Sequence, residues 1–238
     1  LEDIVSGGAN VAIGRNAGKE MGAAENGNIL IGMAAGQSLD EGTNGTIDDN
    51  IVIGKDAFTG ADLVEGAVAV NRNIAIGTNS LNSTAGNAQL GTIAIGYDAL
   101  TALTSGSGNT AIGYQAGQTT TTGASNTYIG YAVADNAHVD STGNVAIGKN
   151  AFGGSHTGNP SNYNVAVGEG AMSTGVMNAS ANNTALGYNT LNDMTSGARN
   201  TAIGQGAGDG LTTAQRCTII GDSAGSGVLI TGGSVPNN

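Results

Sequence analysis

Short runs of alternating aliphatic and small residues recur along the chain, and each run ends in a glycine. The clearest copy is N-T-A-I-G-Y-Q-A-G at residues 109–117. In every copy an aliphatic residue precedes this glycine, and two places earlier stands valine, isoleucine or threonine. Alternation with a period of two in such residues predicts one short β-strand per copy. The glycines that end the runs, called the marker glycines, are Gly14, Gly32, Gly54, Gly77, Gly96, Gly113, Gly130, Gly148, Gly168, Gly187, Gly204 and Gly221.

The spacing of the marker glycines predicts the architecture. Successive markers are 17 to 23 residues apart, which is shorter than two-helix repeats or propeller blades and close to one coil of a β-solenoid. We therefore predict an all-β fold, a parallel β-solenoid of about twelve coils. Residues 1–238 form a single repeat domain on this interpretation, with repeats over about 10–225 and a linker tail at 226–238. The chain is expected to be a fragment of a longer fibre protein.

Each part of the repeat has an expected role. The aliphatic residues of the strand, such as Thr110 and Ile112 in the clearest copy, define one face that we assign to the core. The alanine between them is too small to fill space, so we expect a second subunit to lie against it. The marker glycine forms a corner, because glycine alone adopts positive φ without steric cost. Apolar residues after the corner predict a shorter second strand in each coil.

Asparagine stands four residues before the marker in ten of the twelve copies, and Thr92 and Cys217 replace it in the others. In stacked coils these amides lie above one another, so each can hydrogen-bond to the next, as in other asparagine ladders. Asparagine also suits the turn that enters a strand, and turn chemistry without a ladder is the alternative. Asn109, Asn126 and Asn144 occupy this position in the most regular part of the chain.

Composition limits the core and the partners. Glycine supplies 42 of 238 residues, aromatic residues make up 3% and tryptophan is absent, so stability must come from many small layers. The net charge of −11 and the pI near 4.2 argue against nucleic acid as a partner. No run of about 20 apolar residues is present, so we expect no direct membrane insertion by this segment.

Three tyrosines follow marker glycines in consecutive coils. Tyr97, Tyr114 and Tyr131 are predicted to stack at a spacing of about 4.8 Å. Such a stripe can contact the sugar rings of a glycan, and it can equally be a structural ladder that covers the edge of the coil.

No residue pattern predicts catalysis, a cofactor or a metal site. The acidic residues of the insert at 40–49 lack the alternating spacing of a calcium loop, and His138 and His156 lie in loops without paired ligands. Carboxylates such as Asp98, Asp135, Glu169, Asp193 and Asp222 are scattered, which argues against a fibre that cuts glycans. We therefore predict that the chain is not an enzyme and binds no cofactor.

The phrases at 109–117, 183–191 (N-T-A-L-G-Y-N-T-L) and 144–152 (N-V-A-I-G-K-N-A-F) resemble repeats of bacteriophage tail fibres and bacterial surface fibres. They are also similar to the head repeats of trimeric autotransporter adhesins. The resemblance covers residues 10–225. It implies a rod-like homotrimer of intertwined or side-by-side chains, located outside the cell on a virion tail or a bacterial surface.

The function expected from this resemblance is that of a structural and adhesive fibre segment. Its partners would be two further copies of the chain and a cell-surface glycan or protein receptor. The alternative is a monomeric solenoid whose threonines bind a regular surface such as polysaccharide or ice. Thr110, Thr127, Thr184, Thr201 and Thr218 support it, although valine or isoleucine replaces them in the other copies.

Overall fold

A computed structural model of the protein describes residues 8–21, 25–39, 46–60, 69–83, 87–155 and 158–226. The chain divides into two compact units, Leu1–Ala124 and Ser125–Asn238, and each is described by itself. The described residues of both units form strands and turns without any helix, and so they contain no helix that could cross a membrane.

Both units are parallel β-solenoids, as the repeat spacing predicts. Each described repeat contributes one three-residue strand, and the strands of successive repeats pair in parallel without a shift in register, for example Ile51 with Ile74 and Val52 with Ala75. A second, two-stranded ladder lies in the first unit. In chain order, the strands of the first unit are β1 (Val11–Ile13), β2 (Ile29–Ile31), β3 (Ile51–Ile53), β4 (Val70–Asn71), β5 (Ile74–Ile76), β6 (Gln89–Leu90), β7 (Ile93–Ile95) and β8 (Thr110–Ile112). Those of the second unit are β9 (Thr127–Ile129), β10 (Val145–Ile147), β11 (Val165–Val167), β12 (Thr184–Leu186), β13 (Thr201–Ile203) and β14 (Thr218–Ile220).

The two faces of these strands are reversed relative to the sequence prediction. The middle residue of each strand points into the coil, where Ala75, Ala94 and Ala146 are fully buried. The flanking aliphatic residues point outward, and Ile147 is 37% exposed. The assignment of the aliphatic face to the core of the coil was therefore wrong, and so was the expectation that the alanines face a second subunit.

Large side chains from the turns explain why alanine fits inside. Leu100 and Leu103 in the first unit, and Met172 and Met194 in the second, are fully buried. They fill the narrow interior of each coil and leave room only for a small residue on the opposite wall, as close packing requires.

The exceptions follow the same rule of complementary volume. Where the middle strand residue is Leu30 or Ile219, the fourth residue after the marker is glycine, and where it is Tyr128 that residue is the small Ala134. A Cβ on Gly36 would lie 2.9 Å from Cδ2 of Leu30, and a Cβ on Gly225 would lie 3.5 Å from Cγ2 of Ile219. The choice between glycine and a large apolar residue at this turn position thus depends on the size of its neighbours.

The marker glycines form the corners that the sequence predicts. Their φ angles lie between 128° and 145°, a region that residues with a Cβ rarely enter. Successive markers also lie very close together: a Cβ on Gly54 would be 2.5 Å from the carbonyl oxygen of Gly77. Both the backbone conformation and the close neighbour therefore require glycine.

The predicted second strand after each marker is absent from the described residues, which form turns there. The second and fourth residues after the marker have positive φ, for example 56° for Asn79 and 52° for Leu81. This alternation prevents an extended strand. The coils are still linked, because the Leu81 N–H donates to the carbonyl of Ala99 in the next coil over 3.0 Å.

The asparagines before the strands form the buried ladder that was one of the two expectations. The backbone N–H and the side-chain amide of Asn73 both donate to Oδ1 of Asn50 at 3.0 Å. The amide of Asn50 in turn donates to the carbonyl of Val70 over 2.7 Å. In the second unit the same pattern links Asn126, Asn144, Asn164, Asn183 and Asn200. Asn109 donates to the carbonyls of Gly106 and Gly123.

Gln89 in β6 is a fully buried side chain whose amide has no hydrogen-bond partner among the described residues. The corresponding residues of the two preceding coils, Ile47 and Val70, are buried and apolar. Since an unsatisfied buried amide costs about 1–3 kcal/mol, we expect Gln89→Met, which keeps the shape of the side chain, to raise the free energy of unfolding by about 1–2 kcal/mol. Urea denaturation at fixed protein concentration measures this change, and a loss of stability would contradict it.

Candidate functional site

The largest candidate interaction surface is the outward face of the strands. It is formed by the first and last residue of each three-residue strand and is called here the aliphatic face. In the second unit Ile147, Leu186 and Ile220 are 37%, 45% and 66% exposed. Parallel pairing without a register shift places these residues in columns along the unit. Contiguous exposed apolar surface of this kind marks an interaction site.

The aliphatic face of the first unit has the same construction. Val11 and Ile13 at one end and Ile112 at the other are exposed, and the columns between them consist of isoleucine apart from Thr110. Because the middle residues of the inner strands and the large turn residues bury one another within a single chain, the outward side chains are not needed to complete the core of that chain. They are available to a partner.

A row of threonines interrupts the face in the second unit. Thr184, Thr201 and Thr218 begin β12, β13 and β14 and pair in sequence across the parallel ladder. Their side chains point outward, on the same side as the aliphatic residues. The second unit therefore presents one column of threonine and valine, in which Thr127 precedes the two valines and the three threonines follow them, beside one column that stays aliphatic.

The tyrosines that follow the markers lie on the surface, as predicted. The rings of Tyr97 and Tyr114 are stacked, with centroids 5.3 Å apart and an angle of 10° between the planes. Both are about half exposed. Tyr131 belongs to the second unit and is also exposed. Contact of these rings with glycan stays a prediction.

A second polar ladder, not foreseen from the sequence, runs along the surface of the first unit two residues before the buried asparagines. The backbone N–H of Asn26 donates to Oδ1 of Asp48 over 2.9 Å, and that of Asp48 donates to Oδ1 of Asn71 over 2.8 Å. Asp48 thus has a structural partner, whereas Asp40 and Glu41 of the same insert lie outside the described residues. The sequence signal was the recurrence of Asn and Asp at this position in three consecutive coils.

The remaining polar candidates are dispersed over the surface. Within the described ranges, no three His, Cys, Asp or Glu residues are gathered as a metal site. His138 accepts the N–H of Asp140 at Nδ1 and approaches the carbonyl of Gly158 with Nε2 at 3.1 Å, while His156 lies outside the described residues. Glu169 forms an exposed ion pair with Lys149 at 3.2 Å.

The surroundings of Asp135 change the ionisation of its carboxyl group. Partial burial raises its pKa above the usual range, and this is partly offset by the backbone N–H groups of Asp135 and Asn136 and by the side-chain amide of Asn136. The amide donates to Oδ1 over 3.3 Å. Acid-base chemistry of the glycosidase type would require a second carboxylate at a defined separation from Asp135.

The surfaces of the solenoid are the candidate sites that the geometry of the described residues offers. In comparisons with known proteins, no protein-family model matches the chain, and no curated protein is significantly similar to it.

Proposed function

We propose that the chain is the structural and adhesive segment of a homotrimeric extracellular fibre that attaches to a cell surface, and that it is not an enzyme. The observation that carries this proposal is the aliphatic face, which lies outside coils that are already closed. A fibre of this kind would belong to a phage tail or to a bacterial cell surface. The resemblance of the repeated phrases to such fibres supplies this assignment.

A second copy of the chain is the occupant that best fits the aliphatic face. The face recurs at the same position in each described coil, so an identical chain offers an identical row at the same pitch. Each square ångström of apolar surface removed from water contributes about 25 cal/mol, and closed symmetric assemblies are the usual outcome for such self-complementary surfaces. The number three follows from the resemblance.

Attachment is assigned to the corners on either side of the strands. Exposed aromatic, amide and charged side chains lie there, including the stacked pair Tyr97 and Tyr114. A trimer presents every such group three times, which turns weak single contacts into avidity. A glycan or protein receptor on a cell surface is the expected partner.

Light scattering of the purified chain tests the assembly. We expect a mass three times that of the 23.1 kDa chain, independent of dilution over a wide range. A particle with the mass of one chain would contradict the trimer.

The second candidate function is a monomeric solenoid that binds a regular surface such as polysaccharide or ice. The outward row of Thr184, Thr201 and Thr218 favours it, because three hydroxyls recur at the pitch of the coil. The same mass measurement separates the two proposals: this one requires a single chain, and the fibre requires three.

A further inference from the structure

One surface row in the second unit consists of residues with exposed side chains. It consists of the residues five places before four successive markers and is called here the corner row: Tyr163, Asn182, Arg199 and Arg216. The backbone N–H of each donates to a carbonyl of the preceding coil, at 3.1 Å for the first two and 3.0 Å for the two arginines. These bonds fix the four residues in one column, one coil apart.

The backbone at the corner row favours glycine. The φ angles of the four residues lie between 57° and 60°, the left-handed region that residues with a Cβ enter at a cost. Glycine occupies the same corner in other coils, as Gly27, Gly108 and Gly143. The four residues of the corner row therefore carry a conformational cost that glycine at this corner would avoid.

The side chains of the corner row are exposed to solvent. Tyr163 is 62% exposed, and a Cβ on Gly143 would lie 2.7 Å from its Cδ1, so the glycine leaves room for the ring. Neither arginine forms an ion pair or a side-chain hydrogen bond with another described residue. Two of only seven basic residues in a chain of net charge −11 thus stand next to each other without an internal counterion.

We propose that the corner row binds an acidic glycan, a sugar chain that carries carboxylate or sulfate groups. Each guanidinium can make two parallel hydrogen bonds to such a group, and a coil spacing of about 4.8 Å suits anionic groups that recur along a chain. Asn182 supplies an amide for sugar hydroxyls, and the ring of Tyr163 supplies an apolar surface for a sugar face. This inference rests on the proposed function and names the ligand class of the attachment fibre.

The first experiment uses the full chain and three probes of matched length: alginate oligosaccharide for carboxylates, dextran sulfate for sulfates, and neutral dextran. Binding is measured by calorimetry at about 0.15 M salt, where exposed charges more than about 8 Å apart are screened. We expect binding of at least one acidic probe and none of neutral dextran. The double substitution Arg199→Gln, Arg216→Gln should weaken that binding at least about tenfold, as expected for the loss of charge-assisted hydrogen bonds.

Arg72→Gln is the matched control. Arg72 occupies the same corner in the first unit with φ of 58°, but Asp49 holds this position one coil earlier. The control should bind like the wild type. Equal weakening by the control, absence of binding to both acidic probes, or equally tight binding of single-stranded DNA would each overturn the inference.

A second pair of variants separates binding from folding. Arg199→Gly and Arg216→Gly should lose affinity for the acidic probe while the temperature of unfolding stays the same or rises, because glycine accepts positive φ without strain. Unchanged affinity would overturn the inference. Light scattering of the same samples distinguishes the two proposals. A trimer that does not bind acidic glycans would contradict only the binding proposal for the corner row. A monomer that binds them would contradict only the trimer.

Discussion

Aspartate at both Ile147 and Leu186 is expected to convert the proposed trimer into folded single chains. Both side chains point outward in one chain and are 37% and 45% exposed, so a carboxylate there meets water in the monomer. In the proposed interface the same carboxylate would be buried against apolar side chains, which costs several kcal/mol for each ion. Three copies of each charge would face one another. Light scattering should report one third of the wild-type mass, and circular dichroism should report unchanged strand content.

Two matched variants make this result specific. Gln205→Asp adds the same charge at an exposed position just after a marker glycine, and it should leave the trimer intact. Ala146→Asp places the charge inside the coil, where the alanine is fully buried, and should unfold the chain. The proposal fails if the double variant keeps the wild-type mass, or if Gln205→Asp dissociates the assembly equally well.

The architecture could be predicted because two residue types recur at fixed positions for reasons of backbone chemistry. The marker glycine must accept positive φ, and the asparagine before the strand must accept and donate hydrogen bonds along the stack. Neither requirement depends on the rest of the coil. The spacing of these residues therefore indicated parallel stacking, and the structure confirms both the parallel register and the buried amide ladder.

The sequence could not predict which face of each strand points into the coil. A period of two defines two faces but does not tell which of them is buried. The aliphatic strand residues are larger than the alanines and were therefore assigned to the core. In the structure, turn residues such as Leu100 and Met172 occupy the core instead. The sequence pattern did not indicate that these two side chains point into the coil. Both residues have positive φ, 48° and 53°, which is unusual for residues with large side chains. The predicted second strand failed for the same reason.

The position of the corner row can be predicted from the sequence, but its exposure and its backbone conformation cannot. Tyr163, Arg199 and Arg216 stand at a constant distance before their markers, so the sequence alone places them in one column. It does not reveal that this column is exposed and has positive φ. The stacked tyrosines were easier to find, because they directly follow the most recognisable residue of the repeat.

Asn164→Ala is expected to cause a large loss of stability in the second unit. The amide of Asn164 donates to Oδ1 of Asn144 at 3.2 Å and to the carbonyl of Ser180 at 2.9 Å. Its Oδ1 accepts both the backbone N–H and the amide of Asn183 at 3.0 Å. Alanine would leave the backbone N–H of Asn183 and the carbonyl of Ser180 buried without these partners and without water, at about 1–3 kcal/mol for each. We expect a loss of about 3–5 kcal/mol, measured by urea denaturation at fixed protein concentration.

Asn162→Ala is the control that isolates the effect of burial. Asn162 also bonds across to a neighbouring coil, since its Oδ1 accepts the backbone N–H of Thr142 at 2.8 Å, but both residues are partly exposed. Water can replace that bond, so the loss should be about 1 kcal/mol or less. The amide ladder is expected to add to the cohesion that buried turn residues and backbone hydrogen bonds provide between the coils. If Asn164→Ala were no more costly than Asn162→Ala, the cohesion would have to come from the turns or from the partner chains instead.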